Sequence, residues 1–170
     1  NIDYEIDITN ETSDNFLDYL ADDIIYANGS HNKKYECDFL ILTDNINDDN
    51  EILDICNGIG SIFNLKIFGT KKINSVYYLG IPDMHEYKHI IASCKYMIMF
   101  NKQWFYNCLF NNKIPLILNK NPSNHFEFAN YDQLFQTCQY LTKETHNKMN
   151  YDVKTYTWYI TCLLYTSDAA

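Results

Sequence analysis

Short apolar blocks alternate with helical segments along residues 37–119. The blocks are CDFLILTD, LKIFG, VYYLG, KYMIMF and IPLILN, and they are rich in the β-branched and aromatic residues that buried strands favour. Between several of them, apolar residues recur at helical spacing, in residues 51–58, 85–94 and 103–112. Strands without polar alternation, separated by helices, predict a mostly parallel sheet that is covered on both faces. We therefore expect an α/β, Rossmann-like, three-layer domain.

The pattern changes on both sides of this block. Beyond it we predict a turn-rich link at 120–124, a short strand at 126–128 and an amphipathic helix at 131–149, followed by an aromatic stretch at 151–159 that packs on the domain. Before it we predict a strand at 1–9, a helix at 14–23 and a polar turn at 28–34. Residues 37–161 form the expected domain. Residues 1–36 belong either to that domain or to the end of a missing half.

The last nine residues, CLLYTSDAA at 162–170, resemble a translated sequencing adapter. We treat them as an artefact outside the fold. The chain begins with Asn1 where a complete protein has Met, which suggests that the sequence is a fragment.

Composition narrows the class of partner. The net charge is −9 and all 13 basic residues are lysine, which argues against a nucleic-acid partner, since binding phosphates needs a basic face. The abundance of Asn, Ile, Tyr and Lys is typical of an AT-rich genome. No apolar run approaches the ~20 residues of a membrane-spanning helix, and scattered cysteines without a C-x-x-C pair favour a reducing, cytoplasmic location.

Two glycines follow predicted strands and mark a candidate binding edge. Gly69 ends LKIFG and Gly80 ends VYYLG, and glycine permits positive φ and close approach of a ligand. Pro82 and Asp83 then stop the second strand, and Asp83 can cap a helix that begins near Met84. The acidic residues concentrate in residues 3–54, so we expect any anion site in the second half of the chain.

The order of these segments resembles the C-terminal, donor-binding half of GT-B-fold glycosyltransferases of the group 1 type. The passage LKIFGTKKINSVYYLGIPDMHEYKHIIASCKYMIMF is similar to the family's succession of strand, Gly, spacer, strand, Leu-Gly, helix and strand. WFYNCLFNNKIPLILN is similar to the family's Y-E-A-L-A-x-G-x-x-P-I-V passage, and it also resembles the fucosyltransferase branch. Asn112 stands at the glycine of that passage, and asparagine tolerates positive φ.

The resemblance implies a nucleotide-diphosphate-sugar donor, an acceptor of unknown identity, and no cofactor or bound metal. It places base contacts on one turn, diphosphate contacts on lysines and a ribose contact on an asparagine. These residues are Gly80, Ile81, Pro82 and Met84 in the turn, Lys71, Lys72 and Lys102 as cations, and Asn107. Members usually carry the catalytic base in the other half, so no catalytic residue is assigned.

Three alternatives remain. Asn107 replaces a carboxylate found in many members and arginine is absent, which favours a non-catalytic binding or assembly domain of the same fold. His85-Glu86-Tyr87-Lys88-His89 matches the zinc-peptidase motif, in which two histidines share a helix face. Two solvated histidines on an exposed face are the simpler interpretation, because Lys88 lies between the two ligands. Asp44 ends a strand as a phospho-acceptor aspartate does, without a convincing acidic cluster and lysine around it.

Overall fold

The computed structural model describes residues 29–47, 49–124 and 126–143. Its strands are β1 (Cys37–Leu42), β2 (Leu65–Phe68), β3 (Cys94–Met99), β4 (Ile114–Leu118) and β5 (Glu127–Phe128). Its α-helices are α1 (Asn50–Gly60), α2 (Tyr87–Ser93), α3 (Phe105–Phe110) and α4 (Tyr131–Lys143), and 3-10 turns occupy Lys33–Tyr35 and Met84–Glu86. The strand and helix predicted at 1–9 and 14–23, the last part of the helix at 131–149, and the stretch at 151–159 lie outside the described residues.

The five strands form one parallel sheet in the order β2-β1-β3-β4-β5. This confirms the predicted fold class and four of the predicted strands within residues 37–119. β1 and β3 lie at the centre, where five of the six residues in each strand are buried. The exceptions are Asp38 and Lys95, which pair at 3.2 Å near the amino ends of these strands. Burial on both faces explains why the apolar runs show no alternation.

Helices cover both faces of this sheet. α1 packs against α4, and α2 packs against α3. The chain turns from β1 to β2 and then crosses back to β3, so right-handed connections place α1 and α2 on opposite faces. Tyr131 at the start of α4 lies over Gly58 of α1, where an added Cβ would come 2.5 Å from its ring. The glycine therefore lets the two helices approach closely.

The helix boundaries follow local chemistry more closely than apolar spacing. Asp49 caps α1 by accepting hydrogen bonds from the amides of Glu51 and Ile52. The segment predicted as one helix at 85–94 is instead a 3-10 turn followed by α2, and the prediction that Asp83 caps it is wrong, because its side chain makes no capping hydrogen bond. α3 covers less than the predicted 103–112, and Asn112 closes its carboxyl end with φ +60°, as the sequence indicated.

The VYYLG segment runs beside β2 without forming a regular strand. Tyr78 makes one parallel bridge with Ile67, through bonds from Ile67 N to Tyr77 O and from Leu79 N to Ile67 O. Gly69 N then bonds to Gly80 O, one residue beyond the register of that bridge. Both glycines have positive φ, +142° and +112°, so the ladder slips and ends there. With this segment counted as a sixth strand, the order is that of a Rossmann sheet.

The core contains five described cysteines, all buried and unpaired: Cys37, Cys56, Cys94, Cys108 and Cys138. Burial raises the pKa of Cys37, Cys56 and Cys138 from 9.0 to about 12, and raises the pKa of Cys94 and Cys108 further. Within the described ranges these thiols are packing residues that stay protonated at neutral pH.

We expect the free energy of unfolding to fall above pH 9. Unfolded thiols ionise near their ordinary pKa while native thiols remain protonated, so the unfolded state binds fewer protons and gains stability, by about 1.4 kcal/mol per thiol one pH unit above that pKa. Urea unfolding between pH 7.5 and 10.5 measures this. Cys138→Ala should be less stable at pH 7.5 and lose less stability on reaching pH 10. Parallel pH profiles for the variant and the parent would contradict the assignment.

Gly69→Ala and Gly80→Ala form a matched pair, since both residues have positive φ. A Cβ on Gly69 would lie 2.2 Å from Thr43 Oγ1 and 2.5 Å from Thr43 N, whereas a Cβ on Gly80 meets nothing within 4 Å. Backbone strain costs about 1–3 kcal/mol in each variant, and overpacking adds roughly 1–3 kcal/mol at Gly69 alone. Urea unfolding should therefore show a larger loss for Gly69→Ala, and equal losses would refute the close approach.

Candidate functional site

The candidate site lies at the carboxyl edge of the sheet between β1 and β3. The chain leaves β1 for β2 on one side and returns to β3 on the other. Loops at such a reversal of strand order diverge to opposite faces and leave a crevice, where ligands bind in open parallel sheets. Three loops and one helix start meet here: the segments after β1, β2 and β3, and the first residue of α2.

Asp44, two residues after β1, is the centre of this edge. The residue is 8% exposed. Oδ1 accepts hydrogen bonds from Thr70 N at 3.2 Å, Thr70 Oγ1 at 2.7 Å and Tyr87 OH at 3.0 Å. Oδ2 accepts one from Trp104 Nε1 at 3.3 Å. A single carboxylate therefore holds the β2 loop, the start of α2 and the β3 loop.

Aromatic rings close the cluster on one side. Tyr87 and Trp104 stack with their ring centroids 4.7 Å apart and their planes 15° from parallel. Tyr78 donates a hydrogen bond to Gly69 O at 2.8 Å. Burial raises the pKa of Tyr87 and of Tyr78, and the nearby Asp44 charge raises both further. Both phenols are therefore neutral hydrogen-bond donors at neutral pH.

Asparagines bridge the loops that follow β1 and β3. Asn101 Nδ2 donates to Asn45 O at 3.0 Å, and Asn45 Nδ2 donates to Gln103 Oε1 at 2.7 Å. Asn45 adopts φ +60°, a conformation that asparagine tolerates better than most residues. These bonds link the loop after β1 to the loop after β3 at the carboxyl edge of the sheet.

Most residues that the resemblance implies lie on loops leaving this edge. Lys71 and Lys72 follow Thr70 in the β2 loop, and Lys102 precedes Trp104 by two residues in the β3 loop. Lys102 Nζ lies 5.7 Å from the centroid of the Phe105 ring. Because Thr70 and Trp104 bind the same carboxylate, the structure brings the backbones carrying these lysines to one place.

The predicted base-binding turn, residues 80–84, runs from the outer edge of β2 to the 3-10 turn before α2. Ile81 is 67% exposed and Met84 is 71% exposed, while Pro82 is half-buried. A Cβ added to Gly80 would meet nothing within 4 Å. The turn is accessible, and α2 ties it to the Asp44 cluster through Tyr87.

Asn107, the predicted ribose contact, lies inside α3. Its side chain is 4% exposed. Its backbone oxygen accepts bonds from Asn111 N at 3.2 Å and Asn111 Nδ2 at 2.9 Å. Its side-chain Oδ1 is buried and, within the described residues, accepts no hydrogen bond, so a ligand would need a donor that reaches into the buried side of α3.

The His-Glu-x-x-His residues do not share one helix. His85 and Glu86 belong to the 3-10 turn, and His89 lies in α2. Glu86 Oε2 accepts a bond from Tyr35 OH at 2.7 Å, which lowers the pKa of Glu86, and His89 Nδ1 accepts one from Ser30 N at 3.0 Å. The motif fastens the segment before β1 to α2. Among residues 29–47, 49–124 and 126–143, no group of three or more His, Cys, Asp or Glu residues could hold a metal ion.

Comparison with known proteins adds no relative from which to transfer a function. A scan against protein-family models, a search of curated proteins and a search of solved structures each found no match to this chain. In the part of the chain that the structure describes, no helix is long and apolar enough to span a membrane.

Asp44→Asn should lower the free energy of unfolding by roughly 1.5–3 kcal/mol. The variant loses the negative charge. Its NH₂ group also replaces one carboxylate oxygen, so at least one of the four surrounding donors loses its acceptor. Asp38→Asn is the matched control. Asp38 pairs with the exposed Lys95 at the sheet's opposite edge, and such a pair contributes about 0–1 kcal/mol. Urea unfolding followed by circular dichroism measures both variants, and similar losses would show that Asp44 does not organise the edge.

Proposed function

We propose that this chain is the nucleotide-diphosphate-sugar binding half of a GT-B-type glycosyltransferase, with an acceptor yet to be identified. One observation supports the proposal most strongly. The loops that carry Lys71, Lys72 and Lys102 are fastened through Asp44 at the point where the strand order reverses, and this is where open parallel sheets bind nucleotides.

The lysines would supply the positive charge for the diphosphate. Lysine acts on phosphate as a mobile point charge, without the fixed fork of arginine. Lys72 and Lys102 are exposed and Lys71 is half-buried, so all three side chains are accessible from solvent at this edge. Charge that develops on a leaving diphosphate would be stabilised by these groups.

The turn at residues 80–84 would supply the surface for the base. Gly80 permits a flat ligand to approach the backbone, since nothing lies within 4 Å of the position of a Cβ there. The exposed side chains of Ile81 and Met84 offer apolar contact to the faces of the ring. Asn107 would bind a ribose hydroxyl through its unpartnered Oδ1, which requires that hydroxyl to enter between α3 and its neighbours.

A non-catalytic binding or assembly domain of the same fold is the second candidate. Four large apolar side chains are exposed within nine residues at the β2 edge: Val76 at 87%, Leu79 at 55%, Ile81 at 67% and Met84 at 71%. Clustered exposed apolar residues are typical of surfaces that bind another protein. The burial of Asn107 also favours this candidate over donor binding.

A thermal-shift screen of the full chain against UDP, GDP, CDP and ADP tests the first candidate. We expect one diphosphate to raise the melting temperature, because a ligand at 100 times its Kd adds about 2.7 kcal/mol to stability. Lys102→Ala should lower the affinity for that diphosphate by about tenfold, because one charge-assisted hydrogen bond is lost.

Lys95→Ala is the matched control for this screen. Lys95 lies at the amino end of β3, and Lys102 lies in the loop that follows its carboxyl end. The control should bind the diphosphate as the parent chain does. A folded protein that responds to none of the four diphosphates would reject donor binding and favour the assembly domain, and equal losses in both variants would place the ligand elsewhere.

A further inference from the structure

A pocket of about 640 Å³ lies at the β5 edge of the sheet, between α4 and the segment that leads into β5. Its volume falls within the ~300–1,000 Å³ of small-molecule sites. Ser123, Asn124 and Glu127 line one side, and Gln133, Gln136 and Tyr140 of α4 line the other. No residue of the Asp44 cluster takes part, so this pocket is separate from the proposed donor site.

The carboxylate of Glu127 is held by one of its two oxygens. Oε2 accepts hydrogen bonds from Ser123 N at 2.7 Å, Ser123 Oγ at 3.0 Å and Asn119 Nδ2 at 3.2 Å. Among the described residues nothing donates to Oε1. The pocket wall therefore contains a fixed acceptor whose second oxygen is available to a ligand.

Two amide side chains of the lining, Gln133 and Asn124, offer hydrogen-bond donors. Gln133 Oε1 accepts from Ala129 N at 2.8 Å, and Asn124 Oδ1 accepts from Phe126 N at 2.9 Å. A backbone N–H can only donate, so it identifies the oxygen of each amide and leaves the NH₂ group on the other side. Within the described ranges, neither NH₂ group donates to the protein.

Fixed donors beside a fixed acceptor match a ligand whose groups both donate and accept. Hydroxyl groups do both. Among the described residues that line the pocket, none is a lysine or histidine and Glu127 is the one charged residue, so this part of the wall disfavours phosphate and other anions. Tyr140 is 44% exposed and offers an aromatic face to C–H groups.

We propose that this pocket binds a neutral saccharide. The polar ends of Asn124, Glu127 and Gln133 bind its hydroxyls, and Tyr140 contacts its apolar face. The inference does not depend on the proposed function, because the diphosphate and the saccharide would occupy different edges of the sheet.

Nuclear magnetic resonance of the whole ¹⁵N-labelled chain, residues 1–170, tests the pocket through its side-chain amides. The probes are glucose, galactose, mannose, N-acetylglucosamine, maltose and lactose, with inorganic phosphate and UDP as separate arms. We expect at least one sugar to shift the NH₂ resonances of Asn124 and Gln133 in a saturable way, while phosphate and UDP leave them unchanged.

Isosteric variants then assign the contacts. Gln133→Glu keeps the oxygen that accepts from Ala129 N and removes the NH₂ donor, and Glu127→Gln removes the free acceptor. Each variant should lower the affinity for the sugar about five- to tenfold, because one hydrogen bond is lost. Gln139→Glu makes the same chemical change on α4 outside the lining and should leave affinity unchanged.

Each other outcome overturns the proposal. No saturable shift with any of the six sugars would show that the pocket does not bind a saccharide. Equal affinity in Gln133→Glu and the parent would place the sugar elsewhere, and a response to phosphate would assign a different ligand chemistry. Gln133 is exposed, so this variant decides the question even if Glu127→Gln fails to fold.

Discussion

The carboxylate of Asp44 is the constraint on which the carboxyl edge of this domain depends. Asp44 is buried, and a buried charge is stable only when hydrogen bonds replace its solvation. Thr70, Tyr87 and Trp104 provide them from three separate segments. Removing any one donor raises the energy of the charge, so the segments are positioned together. The arrangement of the loops therefore depends on hydrogen bonds to a buried carboxylate, whereas the sheet itself is explained by apolar burial.

The fold could be predicted from the sequence where one periodicity dominates. The blocks at β1, β3 and β4 are buried on both faces, so their apolar runs are unbroken and unambiguous. Prediction was weaker at VYYLG, where the glycines shift the hydrogen-bond register and prevent a ladder. It was weaker also before α2, where a 3-10 turn replaces the first helical turn, because apolar spacing does not distinguish the two over three residues.

The candidate site could be predicted only in part. The sequence indicated the edge, since glycines, lysines and Asp44 follow strand ends. It did not indicate that Asp44 binds Thr70, Tyr87 and Trp104, which lie 26, 43 and 60 positions away. No local pattern encodes such contacts. Nor did it show that Asn107 is buried, because position within a short helix does not reveal which side faces the core.

The negative charge of Asp44 would oppose the binding of an anionic ligand at the same edge of the sheet. An anionic ligand roughly 8 Å from Asp44 would be repelled by about 2 kcal/mol at an effective dielectric of 20. One lysine at the same distance offsets that repulsion, and Lys71, Lys72 and Lys102 all belong to the converging loops. The four hydrogen bonds also spread the Asp44 charge over neutral donors. A diphosphate at this edge would therefore need these lysines to offset the charge of Asp44. An assembly domain would need Asp44 to hold the loops in place, but it would not need the three lysines. The donor-binding and assembly proposals therefore differ in whether these lysines contribute to the free energy of ligand binding.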